Sequence, residues 1–470
     1  MLRDALPTRP EARRILLGTV FSALGRGFTL PFLFIYLTAV RDIPKSTAGL
    51  LIGWFGLLTL VVAPVGGFLI DRWGARRVVL PALAIEAAAM GGLALSSGVF
   101  QFWGVLTLGA LGGSTIWAGQ NTILTSVTTG GERQKVFGLQ FALLNLGIGV
   151  GAAISGSIVD TERPPTFQLI YLLDMLCYLA PIVVLLSMPR VGRRLVEPKP
   201  KEAGRQAGYL EVLRHRPFRR LMVFSLLLTI SGYAQMEVGF TGFATSVAGV
   251  DTKIVGYAFT ANTIVIVLAQ LFVIRQLQGR SRSRALAVVG GIFGLAWAVL
   301  GVAGWVDGSN ALISAVGVIS FGAVFAVGET LLSPTQPTLV NALATDELRG
   351  RYNALAGMVW GMSAVVAPVS AGPLLQLGLS GVWLAMVIVG CVASSLIALS
   401  LRGLITREQD GGDAGDDTDV AGPAAVETDA AVAQVNAVGS AKADGAARAA
   451  GGATRDVKAR NENVSASPGR

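Results

Sequence analysis

The chain has 470 residues, 52% of them hydrophobic and only 14% charged, against roughly 25% charged in an ordinary soluble domain. Long runs with almost no charge exclude a single water-soluble core and point to a chain dissolved in lipid. The formal net charge of +9 invites a nucleic-acid reading, but the basic residues gather in alternate loops, the pattern of membrane orientation rather than of a phosphate-binding surface.

A spanning helix needs about 20 mostly apolar residues. It must be helical, because lipid offers no partner to a bare N–H or C=O. In chain order twelve runs qualify: 15–40, 48–70, 78–97, 102–126, 136–159, 167–188, 221–247, 254–274, 285–305, 311–332, 352–377 and 382–401. The first is too long for a cleavable signal and stays as a span, so residues 1–14 form a short N-terminus. A basic, Pro-containing stretch, 189–220, separates two groups of six, 15–188 and 221–402. Within it Tyr209 to Leu213 read either as a short amphipathic helix or as solvated linker near anionic lipid. Residues 403–470, rich in Ala, Gly, Asp and Thr, bury too little to offset ordering and are expected to be a disordered tail.

The loops alternate in charge. One set holds Arg72, Arg76, Arg77, Arg133, Lys135, the cluster from Arg190 to Arg220, Arg275 to Arg284, Arg349 and Arg351; the other holds Arg41, Lys45, Arg163 and Lys253. Basic loops stay inside, which places both termini in the cytoplasm of a bacterial inner membrane. Cys177 and Cys391 fall within spans as small buried residues, with no disulfide or metal spacing.

The two groups also resemble each other. A shift of 216 residues brings Gly112 onto Gly328, Gln120 onto Gln336, Arg133 onto Arg349 and Gly156 onto Gly372; a shift of 205 brings Gly74 onto Gly279 and Arg77 onto Arg282. The expected fold is all-α: twelve transmembrane helices in two pseudo-symmetric six-helix bundles, with a midplane cleft between them as the default solute site.

The loop after the second span reads Gly67-Phe-Leu-Ile-Asp71-Arg72-Trp-Gly74-Ala-Arg76-Arg77. It resembles the signature loop of the major facilitator superfamily in both spacing and position. The resemblance implies that these charges latch the halves on the cytoplasmic side and assist the conformational switch; the plain alternative is basic residues obeying the orientation rule, with Asp71 neutralising one. Gly25-Arg26-Gly27-Phe28-Thr29-Leu30-Pro31 in span 1, and Gly328-Glu329-Thr330 with Pro334 in and after span 10, look like the drug- and metabolite-exporting proton antiporters of that superfamily. Two features depart from that branch: span 4 lacks an arginine and span 5 lacks a proline.

An ionisable group at mid-bilayer costs ~2.5–3.5 kcal/mol on insertion scales. Five lie within spans: Arg26, Glu86, Asp174, Glu237 and Glu329. In the resembled superfamily the first and fourth helices of each half line the cavity, which implies that Arg26, Glu237 and Glu329 converge there, with Glu329 and Glu237 as proton-coupling candidates. A static ion pair between Arg26 and one glutamate is the competing reading. Glu86 and Asp174 are expected to pair structurally or to sit near helix ends. Tyr36, Trp117, Gln120, Asn121, Tyr233, Gln235 and Gln336, with Phe240 and Trp360, are candidates for a mixed apolar and hydrogen-bonding wall.

The expected activity is proton-coupled export of small amphipathic drugs or metabolites by alternating access. A nutrient-uptake symporter uses the same fold and carboxylates, and a non-transporting membrane sensor is the reading from another class. Nothing points to an enzyme. The proton gradient is the expected energy source, with no cofactor, metal or nucleic acid, and the partners are a small-molecule solute and the lipid bilayer around a monomer.

Overall fold

The computed structural model describes residues 7–128, 130–192, 209–277, 279–305, 310–345 and 348–411. The expected tail beyond Gly411, and the parts of the expected N-terminus and central loop outside these ranges, lie outside the described residues. Among the described residues eleven helices are long and apolar enough to cross a membrane, and one bent pair, taken as one span, makes twelve. They are α1 (Pro10–Val40), α2 (Lys45–Trp73), α3 (Ala75–Leu95), α4 (Val99–Ser126), α5 (Gly130–Ile158) and α6 (Pro164–Ser187), then α7 as two pieces, α7a (Arg216–Met236) and α7b (Gly239–Ser246), and α8 (Thr252–Leu277), α9 (Arg282–Trp305), α10 (Ala311–Leu343), α11 (Arg349–Gln376) and α12 (Ser380–Ser400).

The packing pattern repeats. In the first six helices α1 packs on α5 and α6, α3 on α4 and α6, and α2 on α4; in the second six α7a packs on α11 and α12, α9 on α10 and α12, and α8 on α10. The repeat extends to the turns. Gly74, between α2 and α3, has φ 86°, and Gly279, between α8 and α9, has φ 69°; a left-handed residue without Cβ reverses the chain there at no steric cost.

The halves meet along two seams, α2 with α11 and α5 with α8. Each seam closes on glycine. A Cβ on Gly49 would sit 2.5 Å from the Pro368 carbonyl oxygen and 3.2 Å from the Gly372 Cα; a Cβ on Gly256 would sit 2.6 Å from the Ala152 oxygen and 3.0 Å from the Gly156 Cα. Small residues let backbones approach closely where lipid supplies no hydrophobic drive. These crossings lie toward the face that carries the α1–α2 loop, called the far face below, opposite the face carrying Pro7 and Gly411. Ser46 N–H donates to Gln376 Oε1 at 2.8 Å and Thr252 Oγ1 to Val159 O at 3.5 Å on the same side.

The first helix of each half is interrupted. α1 leaves the α-helix for a turn at residues 30–32, beside Pro31, and resumes as Leu33–Ile35 with a π turn at Tyr36–Val40. α7 bends by 46° at its break, between a 3₁₀ turn Tyr233–Met236 and α7b. The far-side pieces touch: a Cβ on Gly242 would lie 2.7 Å from Phe34 Cε1. Apolar residues run through 221–247 without pause, so hydropathy alone gives one straight span; the freed backbone groups at the break are what the sequence conceals.

Span 10 also differs from its expected end at 332, because α10 continues to Leu343 with Pro334 and Pro337 inside it. The disorder expected from residue 403 does not begin there. Thr406 and Gln409 form a capping box on the short helix Arg407–Asp410, and Asp410 accepts from Ser283 N at 2.7 Å and from the Ser281 hydroxyl. Arg282 Nη1 donates to Gln409 O at 2.7 Å, so the start of α9 and this helix hold each other.

Candidate functional site

Arg26 lies four residues before the α1 interruption and is exposed. Glu237 lies in the α7 break and is likewise exposed. The two come from opposite halves, yet the guanidinium is within electrostatic reach of the Glu237 carboxylate. Both side chains therefore look into the space between the halves rather than into separate patches of lipid. Among the described residues no hydrogen bond or ion pair joins them, so the static pair is not the arrangement in this state.

Glu329, on α10, is partly buried. Its Oε2 accepts a hydrogen bond from Asn262 Nδ2 on α8, and the Tyr233 hydroxyl of α7 also faces it. Tyr233 in turn senses Arg26 and Glu237. The three expected groups thus share one electrostatic neighbourhood, with Tyr233 at its centre. Around them stands an aromatic wall: Tyr233 meets Trp360 edge-on at 4.8 Å and Phe325 at 5.9 Å, and Phe293 stacks on Phe325 at 4.0 Å. Asn262 is not among the sequence candidates; its only sign there is an amide in an apolar run that also holds Gln270.

Several proposed wall residues turn inward instead. Tyr36 is fully buried among Phe102, Phe167 and Tyr171. Its hydroxyl donates to Leu93 O at 3.3 Å and accepts from Arg41 Nη2 at 2.7 Å, so it supports the π turn and not a solute. Gln235 is also fully buried. It donates to Ile230 O at 3.0 Å and accepts from Trp383 Nε1 at 3.0 Å, satisfying backbone freed by the α7 break. Gln336 donates to Ser225 Oγ at 2.9 Å and ties α10 to α7a. Phe240 is fully buried and stacks on Phe321 at 4.6 Å. Gln120 is buried in α4, and Asn121 accepts from Gln140 of α5 at 3.3 Å. Trp117 alone of this α4 group is openly exposed, at 53%.

In the signature loop, Arg76 caps α6. Its Nη1 donates to Leu185 O, and to Met188 O at 2.9 Å, and its N–H donates to Gly192 O at 3.0 Å. The cap satisfies carbonyls that end a helix and lies within one half, not between halves. Gly67 faces open space, while Asp71, Arg72 and Arg77 are exposed.

Glu86 and Asp174 sit mid-helix rather than near helix ends, 6% and 1% exposed, and among the described residues no cation is bonded to either. Each is within electrostatic reach of the other and of Arg26.

A family model described as Major Facilitator Superfamily matches residues 15–368. The chain belongs to this superfamily. It is a multi-pass membrane transporter and not an enzyme. It is 22% identical to the Na(+), Li(+), K(+)/H(+) antiporter of Planococcus maritimus over 76% of this chain and 84% of that one. It is 21% identical to the quinolone resistance protein NorA of Staphylococcus aureus over 53% of this chain and 62% of that one. A crystal structure of the peptide transporter POT in complex with sulfate superposes with a TM-score of 0.69 at 14% identity, covering 87% of this chain and 98% of that one. That likeness carries the twelve-helix superfamily fold alone.

Proposed function

We propose that this transporter exports small amphipathic solutes across a bacterial inner membrane in exchange for protons, as a monomer, with no cofactor beyond the proton gradient. The carrying observation is that Arg26 and Glu237, from opposite halves, are within electrostatic reach of each other, and that Tyr233 is within reach of both while facing Glu329, which also accepts from Asn262. The positive-inside rule assigns the terminal face to the cytoplasm. With both seams closed on the far face, the site then opens inward.

In this state Glu329 accepts from the Asn262 amide and faces the Tyr233 hydroxyl, and Glu237 lies within electrostatic reach of Arg26. A proton arriving from outside neutralises a glutamate and weakens its attraction to Arg26. A cationic or polar solute arriving from inside competes for the same carboxylates. Exclusive occupancy of shared groups is what couples two fluxes. The aromatic faces of Tyr233 and Trp360 suit a flat, partly apolar solute. The names of the two curated relatives, one a quinolone resistance protein and one a cation/proton antiporter, support exchange in the outward direction.

The test is accumulation of fluorescent dyes, quinolones and alkali cations in inverted vesicles with an acidified lumen. Accumulation that collapses when the gradient is dissipated, and that is lost in Glu329→Gln, is expected. Accumulation only under the opposite gradient indicates an uptake symporter. No flux of any probe, with the fold intact, indicates a sensor.

A further inference from the structure

The coupling site leaves two of the five membrane charges unused. Asp174 on α6 and Glu86 on α3 are both more than nine-tenths buried. Asp174 Oδ2 accepts from Thr29 Oγ1 of α1 at 2.9 Å, but its Oδ1 has no hydrogen-bond partner. Glu86 Oε2 has none either. The helices were built around these groups. A Cβ on Gly25 of α1 would strike Asp174 Oδ1, and Cβ atoms on Gly112 and Gly113 of α4 would lie 3.2 Å and 3.3 Å from Glu86 Oε2.

The charge balance decides the protonation. A buried ion without a charged bonded partner loses several kcal/mol of solvation, and a second carboxylate within electrostatic reach adds to the cost of ionising it. The groups facing the pair are Arg26 from α1, and Tyr171, Cys177 and Tyr178 from α6; α4 offers glycine backbone, with Gly113 N–H toward Glu86. Arg26 is the one cation among them, and Glu237 draws on it as well. With one cation within reach of three carboxylates, burial and the unpartnered oxygens favour a proton on this pair.

We propose that Asp174 and Glu86 form a second proton-binding site, inside the first six-helix half, which exchanges its proton as α1 moves. The link is mechanical as well as electrostatic. Thr29 and Arg26 are one turn apart on α1, so a shift of α1 that carries Arg26 toward or away from Glu237 also changes what Asp174 receives. The site lies in the other half from Glu329, so the molecule carries one proton-binding group set in each half.

The test needs no solute and stands apart from the coupling assignment. Infrared difference spectra of purified protein are recorded over pH in a Glu237→Gln/Glu329→Gln background, which removes the cavity carboxyls. A protonated-carboxyl C=O band that exchanges with deuterium and titrates is expected, and it disappears on adding Asp174→Asn or Glu86→Gln. Thr29→Val, which deletes only the donor to the ionised carboxylate, and Arg26→Gln are each expected to shift the titration midpoint upward. A band that neither titrates nor exchanges marks a fixed structural pair and overturns the proposal. So does a band indifferent to Asp174→Asn and Glu86→Gln, or a midpoint unmoved by both Thr29→Val and Arg26→Gln. If instead Glu329→Gln leaves proton-driven flux intact while this band titrates as expected, the coupling role of Glu329 fails and the second site stands.

Discussion

One methyl group placed at Gly256 tests whether the halves move as rigid bodies. A Cβ there would lie 2.6 Å from the Ala152 carbonyl oxygen, well inside van der Waals contact, and the obstacle is backbone that no rotamer change relieves. α5 and α8 must part by several tenths of an ångström. Overpacking of this kind costs about 1–3 kcal/mol, which lowers the ratio of far-face-closed to far-face-open molecules by about 5- to 150-fold. The reporter belongs on the other seam. Ser46 and Gln376 join α2 to α11 through a 2.8 Å hydrogen bond, so cysteines at these two positions, in a chain lacking Cys177 and Cys391, cross-link only when the far face is closed. Gly256→Ala is expected to slow cross-linking, by up to the same factor where the closed form becomes the minority. Gly67→Ala, whose Cβ meets open space, is expected to leave it unchanged. Cross-linking of Gly256→Ala at the parental rate would refute the reasoning, because the strain would then have been absorbed locally.

Four further outcomes follow from individual contacts. Arg76→Ala frees the Leu185 and Met188 carbonyls at the end of α6 and is expected to cost about 1–3 kcal/mol; thermal unfolding in detergent reads it, and Arg76→Lys restores only part because it lacks the fork. Gln235→Leu strands Trp383 Nε1 and the Ile230 carbonyl and is expected to cost a similar amount, lowering Tm without abolishing substrate binding. His215 bonds the Tyr352 hydroxyl at 2.9 Å, and burial holds its pKa below the ordinary histidine value. The folded chain thus favours the neutral ring. Its contribution is complete above about pH 6.5, the unfolded value, and is lost as pH falls through the lower folded one. The Tm advantage of the parent over His215→Gln should therefore shrink on acidification, and a pH-independent gap would contradict it. Asp410→Ala releases the helix at Arg407 from Ser281 and Ser283, and faster tryptic cleavage after Arg402 and Arg407 is the expected readout.

The spans were legible because lipid leaves the backbone no alternative to helix, and the repeat was legible in Gly74 and Gly279 because a left-handed turn constrains residue type. Site membership was harder to read. Tyr36, Gln235 and Gln336 are polar atoms in apolar runs, and such an atom has two destinies: it faces a wet cleft, or it satisfies a neighbour inside the protein. Sequence distance does not separate these. Gln235 belongs to the second class because α7 breaks beside it, and the break left no mark in hydropathy. Glu329 and Arg26 stand out more plainly in the sequence, since a full charge is too costly to leave facing lipid. Asn262 escaped notice because it draws its importance from Glu329, 67 positions away.

The contact between Gly242 and Phe34 divides the opening of the far face into two movements of different size. The long seams are bundle against bundle, and parting them displaces many helices together. The pieces 33–40 and 239–246, cut loose from their own helices by the interruptions at 30–32 and 232–238, make a small door set within a larger one. Opening the far face therefore has an inner contact to break as well as the two outer seams.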